Sequence, residues 1–516
     1  MKIIMAKKAF NFLTLSSMIL ALCLMLAAPQ NAMASEKDPS KAIFAQGRGI
    51  SSVDPYNALG TTTSMIKFYM FNGLTKRNVK GKVVCDLAES MTKVDKNTWE
   101  FKLKKGVKFH NGEPFNAQTV KFSFEMMNDP QYKFRLAKDF DFLKEIQIID
   151  DHTVRLITKY PFAGLPLRCF NFTLLPPKYI TEKGHDYFTK HPVGTGPYKL
   201  TKWLKGNKII LDAYDEYFEG APAIDRVIYR VIPEDASRVA ALEAGEVDLI
   251  SAVPTSQIER LKANPDIKVV TAPTTRVIFI GLDTIHPKYP TSNKKFRQAL
   301  NYAVDVPAIV KHIFNGNATR LATLIAPAFF GYSANVTPYE HNPEKAKALL
   351  KEIGYDSDQV LKLSVAPGAY INNTEVAHAI AGQLQKVGVN VQVAELENSV
   401  ARTQLLTKKN NPLYLLGIGG HYNDADLITR IAFGTKQRYS TFYNKKFDEL
   451  RMKAGSTLDD AKAEKAWEEV QVMLKEEAPA IFLYQQFDTY AYNKKLKNWT
   501  PRLDEMILLY GASLEK

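Results

Sequence analysis

Cysteine is scarce, with three residues in a chain of 516. Cys23 sits in the N-terminal apolar run, and Cys85 and Cys169 lack the C-x-x-C spacing of a redox or zinc site. In an exported chain two such cysteines fit one disulfide or two free thiols, and the sequence leaves both open. The nine histidines include no H-E-x-x-H or other close metal pair, and no G-x-S-x-G elbow, P-loop or G-x-G-x-x-G is present. Gly194-Thr195-Gly196-Pro197 is rich in glycine, but its proline and the missing Lys-Ser/Thr make it a tight turn rather than a phosphate cradle. A triad assembled from distant positions stays open. Blocks of like charge are absent too. Lys+Arg (68) exceeds Asp+Glu (54), for a net charge of +14, yet the excess is spread along the chain. That pattern reads as a solvated basic surface rather than a nucleic-acid footprint, and it leaves room for a basic cleft that attracts a small anion. Past residue 28 no apolar run approaches the ~20 residues of a membrane-spanning helix.

What is present is an ordinary globular composition, 46% hydrophobic and 24% charged, behind a leader-like start. Lys2, Lys7 and Lys8 precede a mostly apolar stretch from Phe12 to Ala28, and Ala32-Met33-Ala34 supplies a small-x-small cleavage site. Residues 1–34 are therefore expected to be a secretory signal peptide. Leu22, where a lipoprotein site needs a small residue, argues against lipidation of Cys23.

Along the rest of the chain, helical and strand patterns alternate. Thr98 to Leu103, 208–214 and 226–232 alternate as half-buried strands. Asp235 is expected to cap a helix running through Ala244, with a short strand from Val247 to Ile250 beyond it. Phe296, Leu300 and Val304 recur at helical spacing, and Asp305 reads as the cap of a second helix. Asn342-Pro343 opens a helix that stops at Gly354. Val376, Ile380 and Leu384 share a helix face, followed by a strand from Val389 to Leu396. Leu413 to Ile418 and 480–484 read as apolar strands. This alternation argues for α/β architecture with helix-covered sheets.

Six strings occur in a familiar order: Leu87-Ala88-Glu89-Ser90 with Trp99-Glu100-Phe101; Phe109-His110-Asn111-Gly112-Glu113-Pro114-Phe115; Gly194-Thr195-Gly196-Pro197-Tyr198; Glu243-Ala244-Gly245-Glu246-Val247-Asp248; Phe296-Arg297-Gln298-Ala299-Leu300-Asn301; and Phe447-Asp448-Glu449-Leu450. In this the chain resembles the extracellular solute-binding proteins of the peptide/opine/nickel class, family 5, over nearly all of 41–516. Each string reads locally as a turn or helix face, so they mark the scaffold and not the ligand. The resemblance implies an α/β, two-lobed periplasmic binding protein of type II, hinge-bending, with an extra subdomain in the first lobe. It places the first-lobe core at 35–75, 193–275 and 488–516, the subdomain at 76–192 and the second lobe at 276–487. Hinge crossings fall near Pro273-Thr274 and near Asp488. The function implied is the periplasmic component of an ABC importer that captures a peptide or peptide-like solute and delivers it to an inner-membrane permease. No catalytic role, cofactor or nucleic acid is implied, and the protein is expected to be a monomer. A metal chelate or other anionic small molecule is the alternative ligand. An exported hydrolase and a chaperone-like binder of unfolded chains are the competing classes.

In peptide-binding members an aspartate that holds the ligand's amino group stands three residues before an Asp-Pro-like pair in a cleft loop. Here that loop is Gly419 to Asp426, and the match puts His421 at the aspartate's place. A shift of three gives the role to Asp424 instead. A neutral histidine cannot supply the fixed negative charge, so the two alignments imply different ligands. Tyr422 and Asn423 complete the loop. From the first lobe the resemblance implies Arg48, as a carboxylate clamp, and Tyr69 as a wall. Arg168, in the apolar run Leu165 to Phe172, is a second cationic candidate; Arg402 and Arg438 are weaker, and Tyr439 fits core packing better than the pocket wall.

Overall fold

The structure, a computed structural model, describes residues 40–58, 60–419 and 424–515. The expected leader, 1–34, and the loop residues His421, Tyr422 and Asn423 lie outside the described residues. An 11-stranded sheet runs through the molecule in the order Val391–Glu395, Leu361–Val365, Leu413–Ile418, Ile267–Leu282, Ala480–Asn493, Leu249–Ile250, Lys41–Gln46, Arg226–Val231, Lys208–Ala213 and Tyr198–Leu204, with Ala318–Arg320 paired to Ala480–Asn493. A separate four-stranded antiparallel sheet is formed by Ala88–Lys93, Thr98–Leu103, Thr153–Thr158 and Leu143–Asp150.

Both faces of the long sheet are covered, and the period of two shows why. Along Ile267–Leu282, Ile278 and Ile280 pack with Phe296, Leu300, Leu363 and Ile380. Their neighbours Val277 and Phe279 face Ile428, Phe433, Trp467 and Phe482 on the opposite side. At the other end, Ala42 and Phe44 enter a core with Tyr69, Phe101, Phe109 and Tyr229, while Ala45 joins Val239, Leu242 and Leu261. The four-stranded sheet contributes Phe101, Val154 and Leu156 to the same core as Phe44. The two ends of the sheet thus hold separate cores, and this is the two-lobed α/β architecture.

Two strands are common to both. Ile267–Leu282 and Ala480–Asn493 pair antiparallel from Ile267↔Asn493 to Pro273↔Phe487, lose register, and resume at Val277↔Gln485. The break exposes backbone groups that need partners. Thr274 Oγ1 donates to Gln486 O at 2.7 Å, Gln485 Nε2 donates to Thr274 O at 2.6 Å, and Thr275 N donates to Leu503 O at 2.6 Å. The last bond ties the C-terminal tail onto the break.

The recurrent strings prove to be scaffold. Phe109 N donates to Glu113 O in the turn, and Glu113 accepts from Lys178 N and Tyr179 N at the start of helix Pro177–Lys183. His110 joins this turn to the Gly194-Thr195-Gly196 turn, through Nε2 at 2.9 Å from Gly196 O. Arg297 spends its guanidinium on the carbonyls of Thr291, Ser292, Glu477 and Ala478, and Asp248 accepts from Ile43 N.

Most expected elements are present, with three differences. Asp235 is not a cap: Glu234 precedes the helix Asp235–Glu243 with no side-chain cap bond, and Asp235 instead pairs with Arg238. A guanidinium one turn on is the stronger partner for its carboxylate. The apolar run at 480–484 is only the start of a strand that continues to Asn493. The short strands are trimmed to Leu249–Ile250 and Val391–Glu395. Cys85 and Cys169 are free thiols, and burial pushes the Cys169 thiol well up.

Gly196 sits against the end of helix Thr61–Met70, its N–H donating to Met70 O at 2.9 Å. A Cβ there would meet Met70 C at 2.5 Å and Tyr69 O at 2.6 Å, backbone atoms that cannot step aside. Gly196→Ala is therefore expected to lower unfolding free energy by about 2 kcal/mol or more. A urea midpoint equal to that of the parent would refute the contact.

Candidate functional site

The two lobes meet along a line of polar contacts built from segments far apart in sequence. Arg48, in the loop after strand Lys41–Gln46, reaches the second lobe, where its Nη2 donates to Ala369 O at 2.7 Å and lies 3.5 Å from Gly368 O. Its own carbonyl accepts from Tyr229 Oη, which fixes the loop. Ala163 N donates to Gly455 O at 3.2 Å.

Between these contacts lies a cluster of opposite charges. Arg168, on the short helix Leu165–Cys169, places Nη2 3.0 Å from Asp426 Oδ2 and 3.4 Å from Asp424 Oδ1. Asp426 also pairs with Arg451, and Arg430 lies 3.3 Å from Asp139 Oδ1. Burial by itself would raise Asp426. The guanidiniums of Arg451, Arg168 and Arg430 outweigh it and hold the carboxyl below the usual carboxylate range. A recess of about 280 Å³ opens here, lined by Arg77, Asp139, Arg168, Asn171, Asp424 and Leu427 among others. Asn171 accepts from the buried Lys67, whose ammonium, stripped of water, is pushed down to about 7. A larger cavity of about 510 Å³, its open mouth included, shares Arg77 and Phe170 with the recess and is walled by the tail residues Arg502, Asp504 and Tyr510.

A second polar centre lies at the strand break. Arg276 pairs with Glu505 of the tail and stands 5.6 Å over the Tyr370 ring, whose hydroxyl donates to Gly417 O at 3.0 Å. Gly419 packs on the Arg276 backbone, where a Cβ would come within 2.6 Å of Arg276 Cα. Asp488 accepts from Ala252 N at 3.0 Å and Thr489 N at 2.8 Å. Burial and the charge of Glu505 push its carboxyl up to about 7.

The structure thus brings together Arg168 and Asp424, two residues read separately in the sequence, as partners of each other. Asp424 is the N-cap of helix Ala425–Phe433, with Oδ1 accepting from Leu427 N at 2.7 Å. Tyr69 is fully buried in the first-lobe core. Its hydroxyl donates to Ile507 O at 2.9 Å and accepts from Leu509 N. Arg438 offers its carbonyl to Lys408, and Tyr439 packs against the second-lobe core. Asp139, Arg430, Arg451, Arg276 and Glu505 carry no sequence motif. The one available signal was the Asp424-x-Asp426 pair ahead of Leu427, Ile428 and Ile431, which is a helix start. Among the described residues no group of three or more His, Cys, Asp or Glu could hold a metal ion, and no helix is long and apolar enough to cross a membrane.

A family profile, Bacterial extracellular solute-binding proteins, family 5 Middle, matches residues 82–440. The chain belongs to this family. The glutathione-binding protein GsiB of Pectobacterium atrosepticum is 28% identical over 487 residues, covering 92% of this chain and 94% of its own. The periplasmic binding protein DppA of Helicobacter pylori, solved with the peptide STSA, is 25% identical with a TM-score of 0.81, over 92% of this chain and 98% of its own. NikZ of Campylobacter jejuni, solved with Ni(L-His), has a TM-score of 0.82 at 22% identity over 92% of this chain and 99% of its own, a likeness of fold.

For this family 5 protein the junction generates two predictions. Arg168→Met keeps the stem but takes from Asp424 its hydrogen-bonded cation and leaves only Arg77 nearby, and breaking one side of a buried pair costs about 3 kcal/mol. The ligand-free variant is expected to melt earlier and to show a larger radius of gyration in solution scattering; an unchanged curve would show that the cluster does not hold the lobes together. Asp488 binds its proton more tightly folded than unfolded. Its favourable contribution is therefore complete below about pH 4, the unfolded value, and is lost as pH rises through about 7. Asp488→Asn, which keeps the Oδ1 acceptor, should match the parent at pH 4 and exceed it by roughly 2–4 kcal/mol at pH 8. Parallel stability curves across that range would contradict the assignment.

Proposed function

We propose that this protein is the periplasmic substrate-binding component of an ABC importer, capturing a peptide or peptide-like solute between its lobes and delivering it to an inner-membrane permease. The observation that carries this reading is the family match together with the line of contacts that lets the lobes close. The similarity to a glutathione-binding protein and to a DppA solved with a peptide supports a peptide-like ligand. Residues 1–34 would serve as the export leader. The lobes would follow the division 35–75, 193–275 and 488–516 against 276–487, with 76–192 as the subdomain, in a monomer that binds no nucleic acid.

Closure works by differential affinity. The ion pairs across the junction favour the closed arrangement, and a solute bound by both lobes favours it further. Ligand also stabilises the fold, because it binds the native state alone. The protein acts by binding and release and converts nothing chemically. The metal-chelate alternative has the NikZ likeness behind it, which is one of fold, and rests on His421.

Native mass spectrometry of protein purified gently from its native host is expected to show a co-purified peptide-like mass. Adding that compound back to stripped protein should raise the melting temperature and shrink the radius of gyration. A nickel isotope pattern would replace the peptide reading with the chelate. Conversion of the bound compound at catalytic turnover would overturn the receptor reading altogether.

A further inference from the structure

Resting on the solute-binding reading, we propose that the hinge carries an ammonium site: Gln486, Asp488 and Glu505 receive the amino group of the bound solute where the C-terminal tail meets the crossing strands. Gln486 and Asp488 are two residues apart on strand Ala480–Asn493, so their side chains leave the same face. The tail brings Glu505 to them, because Thr275 N donates to Leu503 O and Arg276 pairs with Glu505 on the strand that faces Asp488.

The side-chain oxygens here outnumber the donors, which are Arg276, two backbone N–H groups and the buried Tyr490 hydroxyl that faces Asp488 and Glu505. Asp488 Oδ1 is satisfied by two backbone N–H groups, and Glu505 Oε2 by Arg276. Glu505 Oε1 and Gln486 Oε1, however, are buried and have no hydrogen-bond partner among the described residues. Gln486 is 5% exposed. A buried acceptor left without a donor is costly, and two beside a carboxylate pair call for a donor-rich cation. One guanidinium, Arg276, faces the two carboxylates, and the rise of Asp488 to about 7 agrees with a site one positive charge short. A primary ammonium supplies that charge together with donors for the two unpartnered acceptors. Arg276 lies under Tyr370 and Gly419 of the second lobe, so the site stands where the lobes meet and is covered by the second lobe.

This assignment moves amine recognition away from the loop at Gly419 to Asp426. Asp424 spends Oδ1 on its own helix and faces Arg168, a cation that competes with any ammonium. Among the described residues the hinge acceptors face one cation, Arg276, and one neutral donor, the Tyr490 hydroxyl. An amine seated there bridges the tail and the crossing strand, and so fixes the strand break in one geometry.

The test uses the full processed chain, stripped of ligand by unfolding, dialysis and refolding. It is exposed to a pool of defined tripeptides with free amino termini and to the same pool N-acetylated, with retention read by native mass spectrometry. The parent is expected to retain free-amine peptides about tenfold or more over acetylated ones, and Glu505→Gln and Asp488→Asn each to cut that preference about tenfold. Asp488→Asn keeps its backbone bonds, so it decides the matter if Glu505→Gln fails to fold. Equal retention of both pools, or a preference unchanged in Asp488→Asn, overturns the ammonium site while peptide capture stands. Retention of neither pool overturns the ammonium site and the peptide reading together.

Discussion

Both halves of the molecule hang on one antiparallel pair, Ile267–Leu282 with Ala480–Asn493, and that pair is interrupted between Pro273 and Val277. A continuous ladder would weld the lobes into a single sheet. Pro273 brings no backbone N–H, and the register slip leaves neighbouring groups to side chains, Thr274 and Gln485 on one side and the tail at Leu503 on the other. Side-chain and loop partners can rotate where a ladder cannot, so the interruption is where relative motion costs least. The polar residues Gln485, Gln486, Asp488 and Thr489 in an otherwise apolar strand follow from that requirement.

Charge at the lobe junction serves a different end. Arg168 between Asp424 and Asp426, Arg451 on Asp426 and Arg430 on Asp139 are partly or fully buried, and burying ions returns little net stability. What such pairs do well is discriminate between arrangements. In an open form Arg168 and Asp139 part from Asp424, Asp426 and Arg430 and regain water, while Asp426 keeps Arg451 within its own lobe, so the balance between the two forms is small enough for a ligand to tip.

Local order was legible where one signal sufficed. Asp305 and Asn342 cap their helices as their positions before apolar periodic runs require, accepting from Ala308 N and Lys345 N. The strand Leu413–Ile418 and the scaffold turns at Gly112 and Gly196 were likewise readable. The length of Ala480–Asn493 was not, because its apolar run stops at Tyr484 and its polar residues look like a loop until the partner strand is known. Asp424 drew attention as an acid in a glycine-flanked loop, whereas its nearest task is to cap a helix. The cluster that matters most joins residues 256 and 258 positions apart, Arg168 with Asp424 and Asp426, and no local pattern encodes such a meeting.

The charge of the chain and the charge of its junction differ, and the difference separates attraction from selection. The excess, +14 over the full chain and three less, +11, without Lys2, Lys7 and Lys8, is spread along the sequence and acts at long range, where it favours the approach of anions and is weakened by salt. The polar centre at the strand break has the opposite local character, with two carboxylates facing Arg276 and buried acceptors beside them. A simple anion is drawn in by the first and refused by the second; a simple cation meets the reverse. A zwitterion satisfies both, its carboxylate following the field and its amine meeting the acceptors.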